Sequence, residues 1–415
     1  MQARILAVWD KFTTGNLTPK EILRDEMSKR RLKRYAVIFC LFASVVMILM
    51  YLTSDNCHKN YHVEMLCREF FAGNVAGAMC RQLCVEKLLH LGSCSRDRHG
   101  NLIFTINSTA VVKMRDRYHA GVTSFSTVYL HPKQGISMDQ FRVMVNEHLI
   151  QHLGDANHKQ RADRLMETAD VNKDDKVSLA EAKTLWSLLK QNEFLVLQIF
   201  KNSFHIPQIS QFCGEAYMVS NLPDSSRRKL YNMQGLLNKL LFRGLFSWTF
   251  PRWTDRGKVA VGLLEFTLDV YQHHSDGSFY LCDTNETNVG FTQKFDFLMH
   301  DMSGVLPQKT LESLLQDLKC TRNKQCSYTE HCRTICNVDE GRCTGQLVRP
   351  NLSLICDILK PYLLPDMPKV IRADFLNLIA RCVKLWTMAP DFEVQHSLII
   401  NDLRSLLWRH IRSEV

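Results

Sequence analysis

A stretch of twelve residues, from Asp170 to Glu181, carries oxygen-bearing side chains at a fixed spacing between two apolar-periodic segments. That spacing lets a short turn between two helices surround a hard divalent cation with oxygen atoms. Position six of such a loop usually needs glycine at positive φ; here it is Asp175, and aspartate tolerates that conformation. The alternative is an acidic surface turn whose ligand positions match by chance. We therefore predict a calcium loop with ligands from Asp170, Asn172, Asp174, the Lys176 carbonyl, Ser178 through water, and Glu181.

An uncharged apolar run of 18 residues extends from Tyr35 to Leu52. As a helix it would be about 27 Å long, which suits the thin bilayer of the endoplasmic reticulum. Five basic residues between Lys29 and Arg34 precede it, so the positive-inside rule predicts a cytosolic tail over residues 1–34 and a lumenal remainder. A cleaved signal peptide is the alternative, but the tail is long and no small-residue cleavage site follows. We predict a single-pass type II signal anchor over residues 35–52.

Cysteine usage agrees with a lumenal chain. Of fifteen cysteines, fourteen follow the predicted anchor, an even number that suits an oxidising compartment. Several lie in a segment over residues 53–98, and five more cluster between Cys320 and Cys343. We expect this cluster to close among itself through disulfides; a zinc site is the alternative, although paired C-x-x-C spacing is missing. Sequons at Asn107, Asn285 and Asn351 predict a glycoprotein.

The net charge of +10 does not predict a nucleic-acid partner. Residues 1–34 hold nine lysines and arginines against four acidic residues, so half of the excess lies in the short tail. The remainder is nearly balanced and has no basic stripe with interleaved aromatic residues.

A second set of residues has the spacing of protein-kinase motifs. Asp283 and Asn288 match the D-x-x-x-x-N of a catalytic loop, and Asp301 follows thirteen residues after Asn288. Upstream, Ala-Val-Val-Lys ends at Lys113, and a predicted helix carries Glu193. Phosphoryl transfer needs a lysine for phosphates, a glutamate to orient it, oxygen ligands for Mg²⁺ and an aspartate for the acceptor hydroxyl. Each residue alone could be an ordinary surface residue, but the set in this order favours a nucleotide site.

Several kinase features are missing. No G-x-G-x-x-G precedes Lys113, and Leu281-Cys282 replaces the His-Arg before Asp283. Met302-Ser303 replaces the Phe-Gly after Asp301, and the cysteine cluster occupies the expected activation segment. These departures favour a catalytically inactive pseudokinase as the alternative to an enzyme.

The chain resembles the divergent protein kinase domain 1 family from the apolar run to the C-terminus. The resemblance is carried by AEAKTLWSLLKQNEFL after the calcium loop, by FCGEAY, VAVGLLEF and LCDTNETNVG, and by the cysteine cluster. It implies a type II membrane protein of the endoplasmic reticulum with an EF-hand and a cysteine-rich, kinase-like lumenal domain. It also implies the site roles: Lys113 for the nucleotide, Glu193 as its partner, Asp283 as the catalytic acid/base, and Asn288 and Asp301 for Mg²⁺.

The predicted fold class is α+β: a protein-kinase-like bilobal fold with an EF-hand inserted in the N-lobe, preceded by one transmembrane helix. We expect the N-lobe over residues 99–222, its EF-hand over about 160–190 and the C-lobe over 223–415. One helix from Leu179 to about Lys201 is expected to run from the calcium loop to Glu193, so that calcium would couple to nucleotide binding. The expected function is phosphate transfer from ATP, with Mg²⁺ and Ca²⁺, to a secretory-pathway protein or glycan acceptor. The alternative is a pseudokinase that serves as a calcium- or nucleotide-gated interaction module.

Overall fold

The computed structural model describes residues 39–47, 57–97, 100–116, 130–154, 158–222, 251–271, 278–283, 288–316 and 318–413. Two compact units are present, residues 1–58 and 59–415. In the first unit residues 39–47 are helical; the predicted tail and the rest of the predicted anchor lie outside the described residues. No helix within the described ranges is long and apolar enough to cross a membrane. The span over 35–52 therefore stays a prediction.

The second unit begins with a cysteine-rich segment. Helix α1 (Lys59–Phe71) is joined to the π-helical turn Arg81–Val85 by a disulfide between Cys67 and Cys84. A second disulfide, between Cys80 and Cys213, attaches the segment to the sheet that follows it in the chain. Gly77 permits this attachment, because a Cβ there would lie 2.1 Å from the carbonyl oxygen of Phe212.

A five-stranded antiparallel sheet has the strand order β1-β2-β3-β5-β4. Strand β3 lies at its centre and is rich in β-branched and buried residues, as expected for a strand covered on both faces. The register pairs Lys113 of β3 with Tyr217 of β5, which brings these two residues side by side. The strands are β1 (Cys94–Arg96), β2 (Asn101–Asn107), β3 (Ala110–Arg115), β4 (Gln208–Cys213) and β5 (Ala216–Ser220).

In the described part of the chain between β3 and β4 there are four helices: α2 (Met138–Leu153), α3 (Lys159–Ala169), α4 (Leu179–Leu189) and α5 (Asn192–Ile199). Capping boxes start α2 at Ser137 and α4 at Ser178. The prediction of one continuous helix from Leu179 to Lys201 is wrong, because the helix is interrupted between α4 and α5. Gln191 is extended there, with φ −100° and ψ 111°, and its buried side chain donates to the Glu215 carbonyl. This hydrogen bond to Glu215 stabilises the interruption between the two helices.

The C-terminal half is mainly helical. Helix α6 (Trp253–Tyr271) packs against the C-terminal helices and against strand β8, and Gly262 allows the close approach of Phe297. Two short strand pairs, β6 with β9 and β7 with β8, carry the residues around the catalytic-loop motif. The elements are β6 (Phe279–Leu281), β7 (Val289–Phe291), β8 (Phe297–Met299), β9 (Val305–Pro307), α7 (Gln308–Gln316), β10 (Thr334–Asn337), β11 (Arg342–Leu347), α8 (Asn351–Leu363), α9 (Lys369–Val383) and α10 (Phe392–Ser413).

The prediction that the lumenal cysteines form disulfides is confirmed, but the prediction that the cluster closes among its own members is not. All fourteen cysteines after Cys40 are disulfide-bonded. Within the cluster, Cys320 pairs with Cys336 and Cys326 with Cys343. The fifth member, Cys332, pairs instead with Cys282 outside the cluster, and Cys356 pairs with Cys382. Five cysteines cannot close among themselves, so the expectation of a self-contained insert was wrong.

Candidate nucleotide site

Three titratable side chains from distant parts of the chain meet in the interior. The ammonium Nζ of Lys113 lies 2.6 Å from Oε1 of Glu193 and 3.2 Å from Oδ1 of Asp301. Lys113 and Glu193 are 3% and 5% exposed, so water cannot replace either partner of the pair. Strand β3 supplies Lys113, the first turn of α5 supplies Glu193, and Asp301 follows β8 by two residues. The sequence prediction selected all three residues.

The cluster has one negative charge more than positive charge when all three groups are ionised. Burial lowers the pKa of Lys113, but Asp301 and Glu193 overcome that effect and hold it above its usual range. Burial works against ionised Asp301, but Lys113 and the Ser303 amide hold its pKa well below the usual range. Burial raises the pKa of Glu193 to about 7, although Lys113 opposes the shift. The uncompensated charge fits a divalent cation, because Mg²⁺ prefers carboxylate and carbonyl oxygen ligands.

Two further groups fix the orientation of Glu193. The hydroxyl of Tyr217 donates to Oε2 at 2.9 Å, and the amide of Met302 donates to Oε1 at 3.2 Å. Both carboxylate oxygens are therefore bonded inside the protein, as a buried charge requires. The sequence motifs gave no indication of Tyr217. Only the pairing register of β3 with β5 could have indicated it.

The predicted catalytic-loop residues lie together at the end of β6. Asp283 is 8% exposed, and Nδ2 of Asn288 donates to its carbonyl oxygen at 2.6 Å. The segment after Asp301 runs alongside: Cys282 donates to the carbonyl of Gly304 at 2.8 Å. A Cβ on Gly304 would come within 2.3 Å of the Asp283 Cβ, so only glycine fits there. The sequence did not predict Gly304 either, since no motif marks this contact. Residues 284–287 lie outside the described ranges.

The β1–β2 turn stands where a glycine-rich phosphate loop would be expected. Both carboxylate oxygens of Asp97 accept bonds from Asn101, one from its amide and one from its side chain. Gly100 takes the positive φ of 80° that the turn needs. The Asp97 carboxylate thus closes the turn, in a sequence that has no G-x-G-x-x-G before Lys113.

A cavity of about 580 Å³ opens beside the three-charge cluster. Glu193, Tyr217 and Ser303 form the wall it shares with the cluster. Its other walls include the basic residues Arg96, Arg115 and Lys190, together with Tyr328 of the cysteine cluster. The acidic Asp116 also lines the cavity and is paired with Arg96, so the cavity combines access to the site with a lining of three basic and two acidic residues.

The predicted calcium loop lies between α3 and α4. Asp175 at position six has φ 60°, the conformation that the spacing requires at this position. Backbone amides of Asp174 and Asp175 donate to the two oxygens of Asp170, and the amide of Lys176 donates to Asp174. These bonds hold the carboxylates within the loop, with Asn172 also bonded to Asp174.

Glu181 is turned toward the start of α4. Its oxygens accept from the amides of Val171 and Ser178 and from the Ser178 hydroxyl. Among the described residues, the only group of three or more His, Cys, Asp or Glu ligand atoms within 4.8 Å of one another is formed by cysteines that are already in disulfides. The loop has the backbone for a cation, and Glu181 would have to exchange partners to bind one.

The chain matches two family models. Residues 26–167 match one described as the N-terminal cysteine-rich endoplasmic-reticulum segment of FAM69, and residues 185–385 match one described as the protein-kinase domain of FAM69. Together they span more than half of the chain. Among solved structures, the chain is similar to Rv3197 of Mycobacterium tuberculosis, described in complex with erythromycin, at 12% identity over 94% of both chains. The TM-score of 0.26 is too low for this likeness to support an argument.

Proposed function

Because the chain belongs to the FAM69 family of endoplasmic-reticulum proteins with a protein-kinase domain, we propose that it transfers the γ-phosphate of ATP to a hydroxyl acceptor. The observation that carries the proposal is the contact of Lys113 with both Glu193 and Asp301. A buried lysine held by two carboxylates from distant segments has a stability cost that a purely structural role would not require. The same three residue types are those that phosphoryl transfer uses.

Each residue then has a distinct role. Lys113, oriented by Glu193, would neutralise the α- and β-phosphates of the nucleotide. Asp301 and Asn288 would hold Mg²⁺, which supplies positive charge to the transferring phosphoryl group. Asp283 would orient the acceptor hydroxyl and take its proton. Gly304 keeps the backbone of the Asp301 segment close to Asp283, so that base and metal ligand stay in a fixed relation.

Calcium is the second proposed ligand. The ligand spacing, the φ of Asp175 and the amide bonds to Asp170 support a cation in the loop. Binding would draw Glu181 from its cap on α4 toward the ion, where its carboxylate could supply two oxygens. The half-buried Val177 packs against the main core and anchors the loop there.

The location in the membrane and the partners are part of the same proposal. We propose a single-pass type II membrane protein whose kinase-like domain faces the lumen. The acceptor would then be a protein or glycan of the secretory pathway, and nucleic acid is not expected as a partner. The disulfide-bonded state of the cysteines after Cys40 supports an oxidising compartment.

The test is phosphate transfer by the purified full-length chain from labelled ATP to a panel of secretory proteins and glycans. Wild type should transfer label in the presence of Mg²⁺, and Asp283→Asn should not, while both bind nucleotide. Asp283→Asn keeps the size of the side chain and removes only the proton acceptor. Equal transfer by wild type and Asp283→Asn would rule out the assigned role.

A pseudokinase is the second candidate, and the β1–β2 turn favours it. The carboxylate of Asp97, rather than a row of glycine amides, closes this turn, and an anion there opposes phosphate binding. In that case the chain would act as a calcium- or nucleotide-gated interaction module. ATP binding without transfer to any acceptor, or no ATP binding, would favour this candidate.

A further inference from the structure

Tyr328 belongs to the disulfide-linked segment between Cys320 and Cys343, but its side chain reaches back to the nucleotide site. It lines the same cavity as Glu193 and Ser303. The residue is 37% exposed, so it is not sealed in the interior. None of the proposed catalytic roles uses this residue.

The backbone around Tyr328 is tied to the catalytic loop. The hydroxyl of Thr329 donates to the carbonyl of Cys282 at 2.6 Å, and Cys282 directly precedes Asp283. The disulfide from Cys282 to Cys332 makes a second, covalent link. The amide of Tyr328 in turn donates to the Cys332 carbonyl at 2.9 Å. Tyr328 therefore lies in a short loop fastened to the residue next to the proposed base.

The electrostatic environment agrees with this placement. Burial, and then the negative charge of Asp283, raise the pKa of the Tyr328 hydroxyl. The phenol therefore keeps its proton at neutral pH and lies within electrostatic reach of the Asp283 carboxylate. A protonated hydroxyl near a carboxylate base is the arrangement that an acceptor needs.

The cavity also suits the product. Three basic residues, Arg96, Arg115 and Lys190, line it together with Tyr328 and the acidic Asp116. Arg96 is paired with Asp116 at 2.7 Å, and Arg115 donates to the Lys190 carbonyl at 3.0 Å. A phosphate brings close to two negative charges and three acceptor oxygens, which such a set of cations can bind.

We propose that Tyr328 is a site of intramolecular phosphorylation and that its phosphate is bound by Arg96, Arg115 and Lys190. A bond forms between Tyr328 Oη and the γ-phosphorus of ATP, and the bond from that phosphorus to the β–γ bridging oxygen breaks. ADP leaves with the electron pair, and the phenolic proton passes to Asp283. The proposal rests on the phosphotransferase function argued above.

The test uses the purified full-length chain with ATP and Mg²⁺, and maps phosphate by mass spectrometry. Wild type should gain phosphate at Tyr328 with a rate constant independent of protein concentration. Tyr328→Phe and Asp283→Asn should not be labelled there. In a mixture, wild type should leave Tyr328 of the Asp283→Asn chain unlabelled.

The possible failures are distinguishable. If ATP binds and another acceptor is labelled while Tyr328 stays unmodified, this inference is wrong and the proposed function stands. Labelling of the Asp283→Asn chain by wild type would contradict an intramolecular route. If no ATP binds, the proposed function is wrong, and so is this inference, which depends on it.

The basic lining has its own test. An added tyrosine phosphatase should remove phosphate from Tyr328 about fivefold faster in Lys190→Gln than in wild type, because a charge-assisted contact is lost. Lys183→Gln is the matched control, since Lys183 lies on α4, which ends one residue before Lys190, but its ammonium faces Asn74 at 3.5 Å. Equal rates in all three chains would overturn the assignment of the phosphate to this cavity.

Discussion

Glu193 shows how single residues define the site. Its two oxygens accept from Lys113, Tyr217 and the amide of Met302, and thereby join the sheet, helix α5 and the segment after Asp301. Removing one partner of such a buried charge leaves the other unsatisfied, which costs more than the hydrogen bond itself contributes. The orientation of Lys113 therefore depends on residues from three separate elements.

A second single residue, Gly304, leads to a testable prediction. Gly304→Ala would place a methyl group 2.3 Å from the Asp283 Cβ, so Asp283 or the segment must move. Nucleotide binding through Lys113 and Asp301 should persist, whereas phosphate transfer should fall by about a hundredfold, since small misplacements cost that much. Nucleotide titration and a transfer assay on one preparation would measure both.

The control for this change is Gly341→Ala. Gly341 lies in a turn of the cysteine cluster at φ 65°, and a Cβ there would meet no atom within 4 Å. Gly341→Ala brings backbone strain, which Gly304→Ala does not, but it brings no clash near Asp283. An equal loss of transfer in both variants would show that the effect is general destabilisation.

Among the elements, the helices between β3 and β4 link the calcium loop to the nucleotide site. Because α4 and α5 are separate helices, calcium cannot rotate Glu193 as part of one rigid rod. What joins them is the bond from the Gln191 amide to the Leu188 carbonyl at 2.9 Å and the packing of the two helices. Any coupling between the two sites must pass through this junction.

Glu181→Gln separates calcium binding from helix capping. Glutamine can also close a capping box with Ser178, but its single oxygen cannot accept from both Ser178 and Val171, so the stability without calcium should fall by about 1 kcal/mol. The carboxylate for the ion is lost, so the rise in melting temperature that calcium gives wild type should disappear. Scanning calorimetry with calcium and with chelator measures both. A calcium-induced rise that survives in the variant would contradict the ligand assignment.

His148 gives a pH prediction for the pairing of α2 with α4. Burial, followed by the neighbouring His152, lowers the pKa of His148 to about 4, although its bond to the Leu189 carbonyl opposes the shift. The unfolded chain binds this proton near its ordinary pKa of about 6.5. Stability from neutral His148 is therefore present above about pH 6.5 and is lost as pH falls toward about 4.

His148→Gln should keep a donor for Leu189 without titrating. Its melting temperature should fall less than that of wild type between neutral and mildly acidic pH. His152 and Lys190 remain in both chains, so their effects cancel in the comparison. Parallel curves for the two chains would show that His148 does not contribute to acid sensitivity.

Local patterns predicted many of these elements. From apolar spacing alone a helix over Met138–Leu153 was predicted, which is α2, and strands over 208–212 and 215–220 were predicted, within one residue of β4 and β5. The break before Glu193 was not, because it depends on a bond from Gln191 to Glu215 across the fold. Tyr217 and Gly304 were missed for the same reason. The pairing of Cys332 with Cys282 could not be deduced, since sequence does not fix disulfide connectivity.

For the whole molecule, disulfides join parts that the chain order separates. Cys80 links the amino-terminal segment to β4, and Cys282 links the catalytic loop to the cysteine cluster. The predicted membership of the divergent protein kinase domain 1 family is confirmed by the two FAM69 models, which cover both the cysteine-rich and the kinase-like parts. A disulfide-bonded cluster thus follows Asp301 in the chain, where the sequence predicts the activation segment of a kinase.

The central claim is that Lys113, Glu193 and Asp301 form a nucleotide site, and calorimetric titration of the full-length chain with Mg²⁺ and ATP tests it most directly. Wild type should bind. Lys113→Met should lose about tenfold or more in affinity through the lost phosphate contact, and Asp301→Asn should lose the dependence on Mg²⁺. Lys183→Met, a lysine outside the site, should bind like wild type. Absence of binding to wild type, or equal affinity in wild type and Lys113→Met, would contradict the account.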